Sequence, residues 1–489
     1  MMRRVCIVGG GPSGLYTAKY LLEKHPATSV DVLDASPLPF GLVRNGVAPD
    51  HPEVKLVTHT FDAMADQHSD RFRFVGNVRL SPSPSQDPGA HQPLDVDIDT
   101  LASSYDAVVL ATGAPSSRPL SIPNEDALSH VLPARAFVEW YNGALDAPDL
   151  APLLTNENTL PKTVSVVGAG NVALDVARML ASPPSVLAAT DMPSRVVDVL
   201  AEIQDALSIV RIVARRGPQH AAFTTKEVRE LTKLPHVDVH ATGVPDQEWD
   251  PKHPHVAPAL KGNRVATRVF RLLSTAFDHS PPTPRASNAD PLPLELAFYA
   301  SPHSLLPSPD SPSRVGSLRV TQMMRHPDSP QKAIPRPDAP LLDLQSDLVL
   351  PSVGYASTPL PGVPFDPQTC TIPNVSGRVL DTPLPLYCAG WAKRGPRGVI
   401  VATLNDAVET ASTLLHDLES LPHNASQSTD LPSLLGTDKA TFASSTTSYS
   451  DWLFIDDWEQ RTGQSSGQSR TKVESAQQVF DLLAQQPTR

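Results

Sequence analysis

Short runs of consecutive apolar residues mark the framework of this 489-residue chain. VCIV at 5–8, SVDVLDA at 29–35 and YDAVVLATGA at 105–114 have the length and continuity of strands buried on both faces of a sheet. Between the first two, LYTAKYLLEKH reads as a helix. The same order returns more than 150 residues later. TVSVV at 163–167 predicts a strand, NVALDVARMLAS a helix, and SIVRIVA at 208–214 another strand. Strand, helix, strand, twice in one chain, predicts an α/β protein with parallel sheets.

Each first strand runs into a glycine-rich turn. The first is Gly9-x-Gly11-x-x-Gly14 and the second Gly168-x-Gly170-x-x-Ala173. In such a turn the first glycine permits the bend, the second lets a pyrophosphate approach the backbone, and a small third residue lets helix and strand pack closely. Free amides and the helix dipole then hold the anion. The two loops differ in what ends the following strand. Asp34, twenty residues past Gly14, can accept hydrogen bonds from ribose hydroxyls. Arg215 and Arg216 instead offer planar, permanently charged partners for a 2'-phosphate. Two nucleotides of different kinds are therefore expected: FAD held permanently at the first site, and NADP(H) exchanging at the second. Residues 36–55, apolar and rich in proline and glycine, read as a loop wrapping a large planar ligand.

Composition narrows the remainder. A net charge of -12 argues against nucleic acid as a partner. Cys6, Cys370 and Cys388 form no CxxC pair, so neither a disulfide framework nor a thiolate-bound metal is expected, and no metal is assigned. No run of 18 uncharged apolar residues occurs, so no membrane span is expected. MMRR leads straight into the first strand, so no presequence is expected within this chain. The 52 prolines gather in segments such as 81–93, 279–293 and 302–313, read as surface loop expansions. Residues 421–448 have the composition of a mobile loop, and SYSDWLFIDDWEQRTGQ at 448–464 carries no motif.

Four segments together, PFGLVRNGVAPDHPEVK, VVGAGNVALDVARML, ARRGPQHAAFTTKEVREL and YCAGWAKRGPRGVIVATLNDAVET, resemble the adrenodoxin reductase family. These are the mitochondrial-type ferredoxin-NADP+ reductases, with fungal and mycobacterial members, and the resemblance is to a fungal-like one. It runs from Val5 to about Leu483 and fades in the proline-rich insertions. It implies two Rossmann-like dinucleotide-binding domains, with an NADP domain (115–343) inserted into a discontinuous FAD domain (1–114 and 344–489). Residues 350–362 then read as the return into the FAD domain. FAD contacts fall on Gly9, Gly11, Ser13, Gly14, Asp34, Leu42, Val78, Trp391, Gly398, Val399 and Ile400. NADP contacts fall on Gly168, Gly170, Asn171, Val172, Arg215, Arg216, Glu227 and Gly398. The family usually has glutamate at Asp34 and alanine at Ser13.

By the same resemblance, His51 and Asp175 are the candidates for tuning flavin protonation and posing the nicotinamide. The implied activity takes hydride from NADPH and passes single electrons to a [2Fe-2S] ferredoxin serving cytochrome P450, iron-sulfur cluster or haem A synthesis. The implied setting is a monomer on the matrix side of the mitochondrial inner membrane, associated peripherally. Lys261, Arg264, Arg268 and Arg271, spaced 3, 4 and 3 apart, would present one basic helical face to the acidic ferredoxin, with Lys393, Arg394 and Arg397 as further contacts. A disulfide reductase would need a cysteine pair that the chain lacks. A flavin monooxygenase and a nucleotide-binding relative without turnover are the alternatives.

Overall fold

The computed structural model describes residues 2–82, 91–155, 160–327, 329, 331–398, 400–421 and 430–486. The chain forms two compact units. Met1–Ser116, Asn142–Ala147 and Tyr355–Arg489 make the first; Ser117–Tyr141 and Pro148–Gly354 make the second. The protein is α/β, with a parallel sheet at the centre of each unit.

In the first unit seven strands lie in the order Asn374–Val375, Arg378–Val379, Leu386–Cys388, Ala107–Leu110, Arg3–Val8, Thr28–Asp34, Phe72–Gly76. The last five are parallel. Both faces of the central strand are covered, which is why its sequence is a continuous apolar run. Val5 and Ile7 join a core with Leu15, Ala407 and Ala411; Cys6 and Val8 join an opposite core with Leu110, Leu386 and Cys388. Pairing of Leu386–Cys388 with Ala107–Leu110 brings the sequence-distant GWAKRGPRG turn to the first glycine loop.

The second unit repeats the plan with five parallel strands in the order Val237–Thr242, Leu292–Ala297, Ile209–Val213, Thr163–Val167, Leu348–Pro351. The long stretch after its first helix is filled by helices Pro184–Leu187 and Ser194–Ala206. Leu348–Pro351 corrects the boundary expected near residue 344. It pairs beside Thr163–Val167, as Ala107–Leu110 pairs beside Arg3–Val8, so the chain rejoins the first unit only at Tyr355.

Two expectations about loops fail. Residues 302–307 are not a loop expansion but part of the strand Ala300–Pro307, antiparallel to Val315–Arg325. Pro302 and Pro307 sit at register shifts, where a missing amide donor costs no ladder bond. Within 421–448, the described residues 430–448 include helices Leu431–Leu434 and Lys439–Ser445, the latter capped by Asp438, whose side chain accepts from Ala440 N and Thr441 N. Capping and packing stabilise what composition alone leaves open. Most of the proline-rich segment 81–93 lies outside the described residues. Residues 279–291 carry no helix or strand. Among the described residues no helix is long and apolar enough to cross a membrane.

Candidate functional site

The two glycine loops are built alike. Gly9 N donates to Leu33 O at 2.7 Å and Gly168 N to Val213 O at 2.9 Å, which ties each turn to the end of its second strand. A Cβ on Gly9 would lie 2.4 Å from Ala111 O, and one on Gly168 2.2 Å from Ser352 O; with φ at 115° and 147°, both positions require glycine. A Cβ on Gly14 would meet Gly9 O at 1.9 Å, so helix Pro12–Lys24 comes as close to its strand as backbone permits. Gly11 and Gly170 are different. Nothing lies within 4 Å of a Cβ at either. Each precedes a helix, Pro12–Lys24 or Asn171–Ala181, that has no side-chain cap and no acid in its first turn. Open space before uncapped amides fits a pyrophosphate at each place.

The strand ends distinguish the loops. Asp34 Oδ2 accepts from Gly10 N at 2.5 Å and Oδ1 from Ser36 N at 2.7 Å. Burial raises its pKa to about 6 against the pull of those two amides. A folded value above the unfolded one means that this group's contribution to stability is present below about pH 4 and lost as pH rises through about 6. Thermal midpoints of ligand-free Asp34→Asn protein between pH 4 and 7 should accordingly vary less than those of the wild type; identical pH slopes would remove Asp34 as their source.

At the matching place in the second unit stands Ala214, followed by Arg215 and Arg216. Both arginines are exposed and neither makes an ion pair among the described residues. Neighbouring atoms that displace some of its solvent, with the adjacent Arg215 guanidinium, lower the pKa of exposed Arg216. The strand's continuation folds back on the loop: Ala222 N donates to Ala169 O and Thr224 N to Asn171 Oδ1, both at 2.9 Å. Thr224 caps the helix Thr225–Leu231, which carries Glu227. The second unit thus gathers Gly168, Gly170, Asn171, the arginine pair and the Glu227 helix around one loop, with Val172 packed at the core's edge.

Asp175 and Glu227 share a partner that sequence reasoning did not name. Arg178, buried on the same helix as Asp175, pairs with Asp175 at 2.8 Å, Glu227 at 3.0 Å and Glu230 at 3.4 Å. Arg178 thereby fixes the orientation of the carboxylates it binds.

In the first unit the segment 36–55 is not one open loop; it contains helical turns Leu42–Asn45 and Pro52–Lys55. Phe40 N donates to Gly10 O, and Phe40 and Gly41 take φ of 82° and 46°, bending the chain against the glycine loop beside half-buried Leu42. Buried His51 precedes the second turn. The Val78 side chain lies in the core with Leu94 and Val96, so a ligand would meet its backbone. Trp391 stacks on Tyr355 with centroids 5.5 Å apart. Ser357 Oγ donates to Gly113 O and Trp391 O, joining the ATG turn to this tryptophan. Gly390, at φ 71°, leaves room for Ser13: a Cβ there would be 2.5 Å from the Ser13 side chain. Gly398 (φ 84°) precedes the helix Ile400–Leu418, and Val399 lies outside the described residues. Two buried polar atoms of the 42–45 turn, Arg44 Nε and Asn45 Oδ1, have no hydrogen-bond partner among the described residues. The clearance before Gly11 fits the pyrophosphate of a dinucleotide.

Several basic candidates change standing. Lys393 is buried and pairs with Asp406 (3.2 Å) and Glu409 (2.6 Å), while Arg394 binds Thr403 Oγ1 and Arg397 O, so neither is a free docking contact. Arg397 is exposed. Asp406 also accepts from Gly390 N at 2.5 Å, which fixes the turn before Trp391. Arg264, Arg268 and Arg271 are exposed along the helix Arg264–Ala276, but Lys261 stands on the turn ahead of it. All three cysteines are free; burial raises Cys6 well above the usual thiol range and Cys388 to about 12, the reverse of a redox-active thiolate.

The family described as pyridine nucleotide-disulphide oxidoreductase matches residues 3–217. The mitochondrial NADPH:adrenodoxin oxidoreductase of Homo sapiens is 40% identical, over 98% of this chain and 92% of its own length. NADPH-ferredoxin reductase FprA of Mycobacterium tuberculosis is 34% identical, over 98% of each chain. The solved structure of that FprA in complex with NADPH covers 99% of both chains at 33% identity, with a TM-score of 0.82. Full-length similarity at this level, on a fold with two differently ended glycine loops, places the chain in the NADPH:adrenodoxin oxidoreductase family.

Proposed function

We propose that this protein is an FAD-dependent NADPH:ferredoxin oxidoreductase, with FAD in the first unit and NADP(H) in the second. The observation that carries this reading is the pair of cleared phosphate loops, one ending in Asp34 and the other in Arg215-Arg216. When bound, the flavin accepts a hydride and releases single electrons. This chain's residues supply the remainder. The Gly11 turn and the amides of Pro12–Lys24 hold a pyrophosphate, Asp34 a ribose, and Leu42 with the backbone of Val78 flanks the cofactor. Trp391, Gly398 and Ile400 would bound the ring side, where the first amides of Ile400–Leu418 would serve ring oxygens. Gly168, Gly170, Asn171, Val172 and Glu227 form the NADP loop, while Arg215 and Arg216 take the 2'-phosphate. His51 is the candidate beside the flavin in the first unit, and Asp175, held by Arg178, the candidate beside the nicotinamide in the second.

Anaerobic titration with NADPH tests the reading. Purified protein should be yellow, bleach with NADPH, and reduce cytochrome c only when a [2Fe-2S] ferredoxin is added. Colourless protein, or flavin that ferredoxin cannot reoxidise, would refute it.

The partner is an acidic [2Fe-2S] ferredoxin docked on Arg264, Arg268 and Arg271, with Lys261 on the turn ahead of their helix. Reversing Arg264 and Arg268 to Glu should raise the KM for ferredoxin about tenfold at low salt, each 1.4 kcal/mol being a factor of ten. Ferricyanide reduction, which needs no protein partner, should keep its rate; unchanged ferredoxin kinetics would move the docking face elsewhere. Mitochondrial relatives support a mitochondrial setting, and we place the protein on the matrix side of the inner membrane.

A further inference from the structure

The C-terminal stretch that carries no sequence motif encloses a buried charge network in the first unit. Glu459, fully buried on the helix Tyr449–Ser466, accepts from both terminal nitrogens of Arg44 at 2.9 and 2.5 Å. It also accepts from Arg470 at 2.7 Å and from Val473 N at 2.8 Å. Arg470 pairs in turn with Asp456 at 2.6 Å. Both guanidinium groups lie over the Trp452 ring, at 5.5 and 5.9 Å, and that ring meets Phe40 edge-on at 5.2 Å. Burial alone would raise the Glu459 pKa, but Arg44 and Arg470 outweigh it and hold the carboxylate ionised.

The same stretch grips the loop's other end and the strand beside it. Thr447 Oγ1 donates to Pro37 O, Gly76 N donates to Thr447 O at 2.9 Å, and Asn77 Nδ2 donates to Ser445 O at 2.8 Å. Tyr449 OH donates to Asp62 at 2.7 Å. Between these anchors the turn Leu42–Asn45 is only four residues long and cannot hold its own position. Its entry is tied to the glycine loop by Phe40 N, and its exit by Arg44 to Glu459.

We propose that residues 445–473 are a strap that sets the shape of the cofactor-side loop 36–46, and that Glu459, acting through Arg44, is the positioning residue for Leu42 and so for the bound dinucleotide. The inference rests on the first unit being the FAD site. Removing the Glu459 charge leaves buried Arg44 without its carboxylate and half-buried Arg470 with Asp456 alone, whereas removing Arg44 leaves Glu459 paired with Arg470 and Val473 N. Arg44→Met therefore removes the side-chain tie of the loop, leaving the Lys472 bond to the residue-44 carbonyl, and spares the network beneath it.

The test uses full-length holoprotein and follows flavin release by fluorescence and the flavin environment by visible circular dichroism. Arg44→Met and Glu459→Gln are expected to speed release at least about tenfold and change the visible spectrum, with the KM for NADPH unaltered. Glu459→Asp, which keeps the charge, should recover release to within about threefold of wild type. Should Glu459→Gln fail to fold, Arg44→Met decides. Folded Arg44→Met protein that releases flavin at the wild-type rate with an unchanged spectrum overturns the strap. Wild-type protein that binds no flavin overturns the FAD site itself, a separate and recognisable outcome.

Discussion

Valine in place of Gly11 is expected to strip the protein of flavin while leaving its fold intact. Gly11 has φ −77°, which any residue adopts, and a Cβ there finds no heavy atom within 4 Å, so folding is scarcely penalised. The space it fills is where a pyrophosphate must meet the amides of Pro12–Lys24. Losing that approach should cost about 4 kcal/mol, or roughly three orders of magnitude in flavin affinity. Gly14→Val is the opposite case: its Cβ would lie 1.9 Å from Gly9 O, so the helix must leave its strand and the apoprotein's melting temperature should fall. Gly170→Val completes the set. Flavin should stay bound and NADPH should cease to reduce it, because Gly170 stands before the second loop's helix with the same clearance. Flavin content and apoprotein melting temperature of the three variants decide the matter; a Gly11→Val protein as yellow as the wild type would remove the pyrophosphate from this loop.

Changing Arg215 and Arg216 together to alanine should raise the KM for NADPH more than about a hundredfold and that for NADH by no more than about threefold. Each hydrogen bond to a charged group contributes about 1.5–3 kcal/mol, and two act on one phosphate. Both side chains are exposed and form no ion pair among the described residues, so their loss breaks no internal partnership and the flavin spectrum should not change. Salt supplies an independent check. Wild-type KM for NADPH should rise with ionic strength, and that of the double variant should be nearly flat. Equal effects on the two nicotinamides would exclude the pair from 2'-phosphate recognition.

Both expectations start from residues close together in the chain, and such features were legible in the sequence. A parallel strand buried on both faces must be continuously apolar, and a phosphate turn must place glycine where backbone meets backbone. Residues 5–14 and 163–173 therefore announce themselves. Asp34 and Arg215-Arg216 were readable because a strand of known length delivers its end to a known place.

Contacts between distant segments were not legible. Lys393 looked like a docking charge until the helix Ile400–Leu418 buried it against Asp406 and Glu409. Asp175 and Glu227 were named as candidates, yet the arginine that holds both came to light only when helices Asn171–Ala181 and Thr225–Leu231 packed together. The prolines at 302 and 307 hid a strand because register, not composition, decides where a missing amide is tolerated.

Sequence by itself determined the α/β class, the two glycine turns, and the acid and arginines that end their second strands, since these depend on hydrophobic periodicity and local backbone freedom. Tertiary structure alone decided which charges are buried and paired, and it alone joined Arg44 to Glu459 across 415 residues. An ion pair's worth is set by its surroundings, and those are assembled from parts of the chain that no local pattern connects.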